Sequence, residues 1–128
     1  MTFLRSMQPA RNLPPAYYAD PAIYGKEREA IFRRHWHFLG PLSQVANPGQ
    51  YVAAEIANWH VFVLRGQDGV LRAFHNVCRH RGARIINDER GSAAKLVCRY
   101  HRWTYDLKGE LVGAPHFKQD PCLHLNRY

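Results

Sequence analysis

The 128-residue sequence has no apolar run able to cross a bilayer. Stretches such as residues 61–64 fall far short of the roughly 20 residues a membrane helix needs. No secretory leader is expected either: the opening MTFLRSMQPARNLPP carries Arg5 and Arg11 but no apolar block before a small-residue cleavage site. A cytoplasmic chain with no membrane partner is expected. Cysteine is scarce and odd in number, with only Cys78, Cys98 and Cys122, which argues against a disulfide scaffold and for free thiols. Acidic side chains are few, 10 against 18 Lys and Arg, giving a net charge of +8 with histidine neutral. Such a balance favours an acidic or polyanionic partner without choosing one. No recognition-helix motif accompanies it, so nucleic acid is not the expected partner.

What is present is enough for one compact domain, since 46% of the residues are hydrophobic. Pro9, Pro14 and Pro15 make the opening an extended arm. Asp20 followed by Pro21 is a helix start, with an acceptor for orphan backbone N–H groups and a residue that tolerates the first helical position. Residues 26–36, KEREAIFRRHW, predict a helix that turns Ile31, Phe32 and Trp36 toward a core and stops before Gly40 and Pro41. Beyond Pro48 and Gly49 the pattern changes to short strands at 51–56, 60–64 and 70–74, a β-meander whose second connection is Gly66-Gln67-Asp68-Gly69. Further strands are expected at 95–98, 103–105 and 110–112, with a turn at 106–109. The organisation is thus an N-terminal arm and helix over 1–40, a β domain over 41–116 and a tail over 117–128.

Eight histidines are many for this length, and two of them sit in mixed pairs with cysteine: Cys78-Arg79-His80 and Cys98-Arg99-Tyr100-His101. Two thiolates and two imidazoles can hold a tetrahedral zinc, or a [2Fe–2S] cluster in which one iron takes both sulfurs and the other both nitrogens. Structural zinc sites usually group like ligands within each short loop. Here each loop offers one of each kind, which suits two bridged irons fed from opposed loops.

The pattern C-x-H, spacer, C-x-x-H, together with RHRGAR at 79–84 and YHRWTYDLKGEL at 100–111, resembles the Rieske family. It departs at Arg99, where proline is common in related sequences. The resemblance implies a mostly β fold of Rieske-type antiparallel sheets with a short N-terminal helix. It also implies one [2Fe–2S] cluster per chain, with Cys78, His80, Cys98 and His101 as ligands. The extra cysteines of the respiratory type are absent, so the sequence is closer to the ferredoxin and oxygenase types. Gly82 is expected either to adopt a positive φ or to allow a close backbone approach to the sulfides, and Tyr100 and Trp103 are expected beside the ligands. Arg79, Arg81, Arg84, Arg99 and Arg102 surround the ligands in sequence and form a basic rim suited to an acidic ferredoxin or flavoprotein reductase as electron donor.

Residues 13–40 resemble the segment that precedes the cluster domain in α subunits of Rieske non-heme iron oxygenases. In that family the acceptor is a catalytic domain with a mononuclear iron held by two His and a carboxylate, where an organic substrate is hydroxylated or demethylated with O₂. No such constellation is legible here. Asp120 and His124 lie in a proline-containing tail, His35 and His37 flank Trp36, and His60, His75 and His116 read as packed or solvated. No catalytic residue is therefore assigned. The chain is expected to be truncated before the catalytic domain, with a standalone Rieske ferredoxin-like carrier as the alternative. Cys122 is expected to be a free thiol.

Overall fold

The computed structural model describes residues 12–115 and 117. Cys122, His116, Asp120 and His124, with the arm before residue 12 and the tail, lie outside the described residues. The chain divides into two units, with the boundary between His37 and Phe38.

In the first unit, α1 (Ala16–Ala19) is a single turn and α2 (Pro21–Glu27) begins where expected, the Asp20 carboxylate accepting from Ala22 N at 2.8 Å. The helix then widens into a π turn over Arg28–Phe32, closed by Arg33 N donating to Arg28 O at 2.9 Å. It ends there, short of the expected Trp36. Two imidazoles take up the carbonyls left at its end: His35 Nδ1 lies 2.8 Å from Ile31 O and His37 Nε2 lies 2.6 Å from Phe32 O. This end-capping competes with a further helical turn. The core-facing stripe expected of Ile31, Phe32 and Trp36 does not form. No residue of this helical run is buried and Trp36 is fully exposed, because the wide turn shifts the side-chain phase and the chain leaves the helix before residue 36. Phe32 instead meets Tyr24 and stacks on His37.

The second unit opens with a 3-10 turn at Leu42–Val45 and continues with a four-stranded antiparallel sheet of order β3-β2-β1-β4. Strand β1 is Gln50–Ile56, β2 Trp59–Arg65, β3 Leu71–His75 and β4 Arg90–Ser92. The meander is the one expected, and alternation in β2 sends Phe62 and Leu64 inward, 1% and 0% exposed. Gly66 N donates to Val70 O and the Arg72 guanidinium grips the Asp68 carboxylate, closing the β2–β3 hairpin.

A smaller antiparallel sheet, order β5-β6-β7, is built from β5 (Leu96–Val97), β6 (Thr104–Tyr105) and β7 (Leu111–Gly113). Its β6–β7 turn is shaped by Asp106, whose Oδ1 accepts from Lys108 N and Glu110 N. One core joins the two sheets: Phe62 and Leu64 from the first, Leu96, Trp103, Tyr105, Leu107 and Leu111 from the second, with Ile85, Ile86, Cys78 and Cys98 between them. At Gly109 an added Cβ would strike the Phe74 ring, so glycine there lets the small sheet's turn lie against β3.

Candidate metal centre

The two cysteine–histidine segments are the connections that leave β3 and join β5 to β6. They close in the same way. In the first, Gly82 N donates to Cys78 O and Cys78 N donates to Ala83 O, at 2.9 and 2.8 Å. In the second, Arg102 N donates to Cys98 O and Cys98 N donates to Trp103 O, both at 2.9 Å. Each is therefore a tight loop in which the cysteine is the pivot and the fourth residue after it turns left-handed, Gly82 at φ 72° and Arg102 at φ 58°. Of the two roles expected of Gly82 the positive φ is the one observed, and the second loop closes equally well with Arg99 in place of proline.

This construction separates the donors by environment. Cys78 and Cys98 are both free thiols, 2% exposed and part of one core cluster. His80 and His101 are half-buried, with ring centroids 4.6 Å apart. Trp103 stacks on His80 at 4.8 Å and 11°, while the exposed Tyr100 ring lies 3.8 Å from His101. The aromatic neighbours expected around His101 are thus shared between the two imidazoles. Phe117 adds an edge against His80.

His101 Nδ1 is buried without a hydrogen-bond partner. A buried imidazole nitrogen left alone loses its hydration for nothing, unless a group outside the polypeptide completes it. For His80, burial first, then the neighbouring His101 and Arg81, hold the pKa below the ordinary histidine value, which favours the neutral imidazole that binds metals. Among the described residues no three His, Cys, Asp or Glu are gathered as a single-ion site requires. The donor set is a pair of thiols inside and a pair of imidazoles at the rim, and those residues fit a two-iron cluster.

Two residues that sequence reasoning missed brace the first loop. The buried Asn76 side chain donates to Ile86 O at 2.7 Å and accepts from Ile85 N and Ile86 N at 3.0 and 2.9 Å, pinning the loop's exit to its entrance. The Tyr105 hydroxyl accepts from Arg79 N at 3.1 Å and lies 3.4 Å from Cys78 Sγ. A ligating thiolate has no proton, so in that state the phenol donates to sulfur. Burial, then the contact with Cys78, pushes the Tyr105 pKa well up, keeping that proton in place. Tyr105 stood only in an expected strand, and a lone Asn before a cysteine carries no pattern.

Of the five arginines of the rim, all are exposed. Arg84 reaches back to His60 Nε2 at 2.6 Å, and His60 Nδ1 faces Glu55 Oε2 at 3.2 Å, so this guanidinium is tied to the first sheet. Arg99 approaches Asp88 at 4.0 Å.

These loops and this fold are those of an iron–sulfur electron-transfer domain. Residues 35–128 match the family described as the Rieske [2Fe-2S] domain, and the chain belongs to that family. It is 42% identical over 111 residues to the glycine betaine monooxygenase oxygenase subunit of Chromohalobacter salexigens, covering 87% of this chain and 25% of that protein. It is 45% identical over 128 residues to putrescine 2-hydroxylase of Ralstonia nicotianae, covering 98% and 34%. The crystal structure of the apo form of the quaternary ammonium Rieske monooxygenase CntA superimposes with a TM-score of 0.84 at 32% identity, over 91% of this chain and 34% of that one. The chain thus spans a quarter to a third of the length of these relatives and corresponds to the Rieske domain of oxygenase α subunits. A Rieske domain carries a [2Fe–2S] cluster, and the mostly β antiparallel fold expected from the sequence is the one observed. Among the described residues no helix is long and apolar enough to cross a membrane.

Proposed function

We propose that Cys78 and Cys98 bind the inner iron, and His80 and His101 the outer iron, of one [2Fe–2S] cluster, and that the chain is the electron-entry part of a Rieske oxygenase. In this reading it takes single electrons from an acidic ferredoxin or flavoprotein reductase and passes them to an oxygenase catalytic domain. There an organic substrate is hydroxylated or demethylated with O₂. Relatives that are oxygenase components support this over a freely shuttling carrier. A cytoplasmic location fits an iron–sulfur chain with free thiols.

The observation that carries the ligand assignment is the buried, unpartnered His101 Nδ1 beside His80, above a core that holds both thiols. When bound, the cluster supplies a reversible one-electron store. The polypeptide decides how readily it fills. Two neutral imidazoles in place of two thiolates leave two fewer negative charges, and Rieske potentials accordingly span about −150 to +300 mV, against about −400 mV for plant-type ferredoxins. Tyr105, donating toward Cys78 sulfur, draws charge from the thiolate and favours the reduced state further. Trp103 and Phe117 shield the His80 face from water, while the partly open imidazole edge is where a partner's electron has the shortest path.

Replacing His80 or His101 by Ala tests the assignment. Iron and acid-labile sulfide are expected to fall to background while circular dichroism retains the β signature. Two irons and two sulfides per chain in either variant would overturn it.

A further inference from the structure

The four-stranded sheet ends on an open strand. β3 stands at one end of the order β3-β2-β1-β4, and among the described residues no strand lies beyond it. Asn76 N donates to His60 O, so alternation turns the backbone groups of Phe74 and Arg72 toward β2 and those of Ala73 and His75 away from it. The His75 carbonyl accepts from Val77 N, while the N–H groups of Ala73 and His75 and the Ala73 carbonyl face outward without a partner among the described residues. Such an edge is a template for one more strand. The guanidinium it carries, that of Arg72, is held by Asp68 and does not guard it.

Between β3 and the small sheet runs a groove of about 440 Å³, walled by Ala73, Phe74 and His75 on one side and by Leu96, Tyr105 and Gly109 on the other. The size is that of a ligand cleft, but an open strand along one wall suits an extended polypeptide, which pairs its backbone with the edge and fills the groove with alternate side chains.

The chain supplies such a segment. In residues 122–126, CLHLN, Leu123 and Leu125 alternate with His124 and Asn126, the period of a strand with one apolar face, and Pro121 stands just ahead, where a strand tolerates it. The point from which this segment sets out is fixed, because the Phe117 ring packs on His80 and Trp103. Those residues are one and two positions from Arg79 and Tyr105, which both line the groove. Residues 118–121 bridge up to roughly 13 Å before the alternation begins.

We propose that residues 122–126 dock as an added strand on the open edge of β3, with Leu123 and Leu125 in the groove against Phe74 and Leu96. The pleat then sets the opposite face. Phe74 turns inward and packs on Phe62 with ring centroids 5.4 Å apart, so Ala73 and His75 turn outward, and Cys122 and His124 share that outward face with them. The docked tail closes an edge otherwise open to pairing with another chain. It also covers the groove wall formed by Tyr105, whose hydroxyl lies 3.4 Å from Cys78 Sγ. The contact is non-covalent, goes beyond the electron-entry reading and does not depend on it.

The test uses the whole iron-loaded chain. Ala73→Cys and His75→Cys place a thiol at each outward position of the edge; each variant is treated with oxidised glutathione, and its disulfides are mapped by mass spectrometry. In at least one of the two, a disulfide to Cys122 of the same chain is expected in most molecules, because docking raises the local thiol concentration. Ser92→Cys, exposed on β4 at the other end of the sheet, should give about tenfold less. Hydrogen exchange reads the same contact without a new thiol. The L123D/L125D double variant should speed exchange of the Ala73 and His75 amides about tenfold, whereas H124S/N126S should leave them within about twofold. Yields at positions 73 and 75 no higher than at 92, or unchanged exchange in the leucine variant, would overturn the proposal. So would disulfides between chains in a mixture of ¹⁵N-labelled and unlabelled protein, which would make a second copy the occupant. Iron content of the same samples reports separately on the cluster reading.

Discussion

The two cysteine–histidine loops share one hydrogen-bond scheme and differ in what holds them. The first is longer, carries its histidine two residues after the cysteine, and is braced by Asn76 and by the Tyr105 hydroxyl. The second lies between two strands of one sheet, carries its histidine three residues after the cysteine, and has its ends fixed by the pairing of β5 with β6. A connection that leaves one sheet without returning directly needs side chains to define it; a hairpin takes its definition from its strands. The left-handed position shows the same division, with glycine in the braced loop and arginine in the hairpin.

The comparison can be broken most severely at Asn76. Asn76→Ala leaves two backbone donors and one acceptor without partners in a buried place, and should cost about 3 kcal/mol. Urea unfolding of the iron-loaded protein checks this. The first loop should gain amide exchange before the second, and equal exchange in both would contradict the bracing role. Tyr105→Phe is next. The fold should survive, while loss of the hydrogen bond to Cys78 sulfur should lower the midpoint potential by about 50 mV, the equivalent of roughly 1 kcal/mol for one electron. Protein-film voltammetry measures it, and an unchanged potential would remove Tyr105 from the tuning of the site.

Exchanging the left-handed residues sharpens the comparison at smaller scale. Gly82→Ala should destabilise by about 1 kcal/mol, whereas Arg102→Gly should be neutral or slightly stabilising, because relief of strain is offset by a more flexible unfolded chain. Thermal melts of the two variants should move in different directions or by clearly different amounts. The smallest effect lies far from both loops, at the β2–β3 hairpin. Hydrogen bonds from Arg72, then from Val70 N, hold the Asp68 carboxyl well below the ordinary carboxylate range. A lowered folded pKa stabilises above the unfolded value near 4 and is lost as pH falls through the folded one. The stability difference between the wild type and Asp68→Asn should therefore be present at neutral pH, slight because the pair is exposed, and should vanish in strong acid.

What could be read from the chain followed the reach of each signal. The meander was legible to within a residue or so because alternation and the Gly66–Gly69 turn are local, and the four candidate ligands were legible because their spacing is a motif. Strand β4 was not: Arg90-Gly91-Ser92 is polar, exposed and three residues long, and becomes a strand only through pairing with β1 some forty residues earlier. The helix end was misread because His35 and His37 act on carbonyls four and five residues behind them, which composition does not reveal. Asn76 and Tyr105 escaped for the same reason, since each acts on backbone nine or more residues away in sequence.

Pulsed electron paramagnetic resonance on dithionite-reduced protein carrying ¹⁵N-labelled histidine asks most directly what the four side chains hold. Couplings from two imidazole nitrogens to a one-electron-reduced two-iron centre are expected, with one of them lost in an iron-bearing His101→Cys variant. A zinc-loaded, sulfide-free chain, or a reduced centre without histidine coupling, would contradict the account.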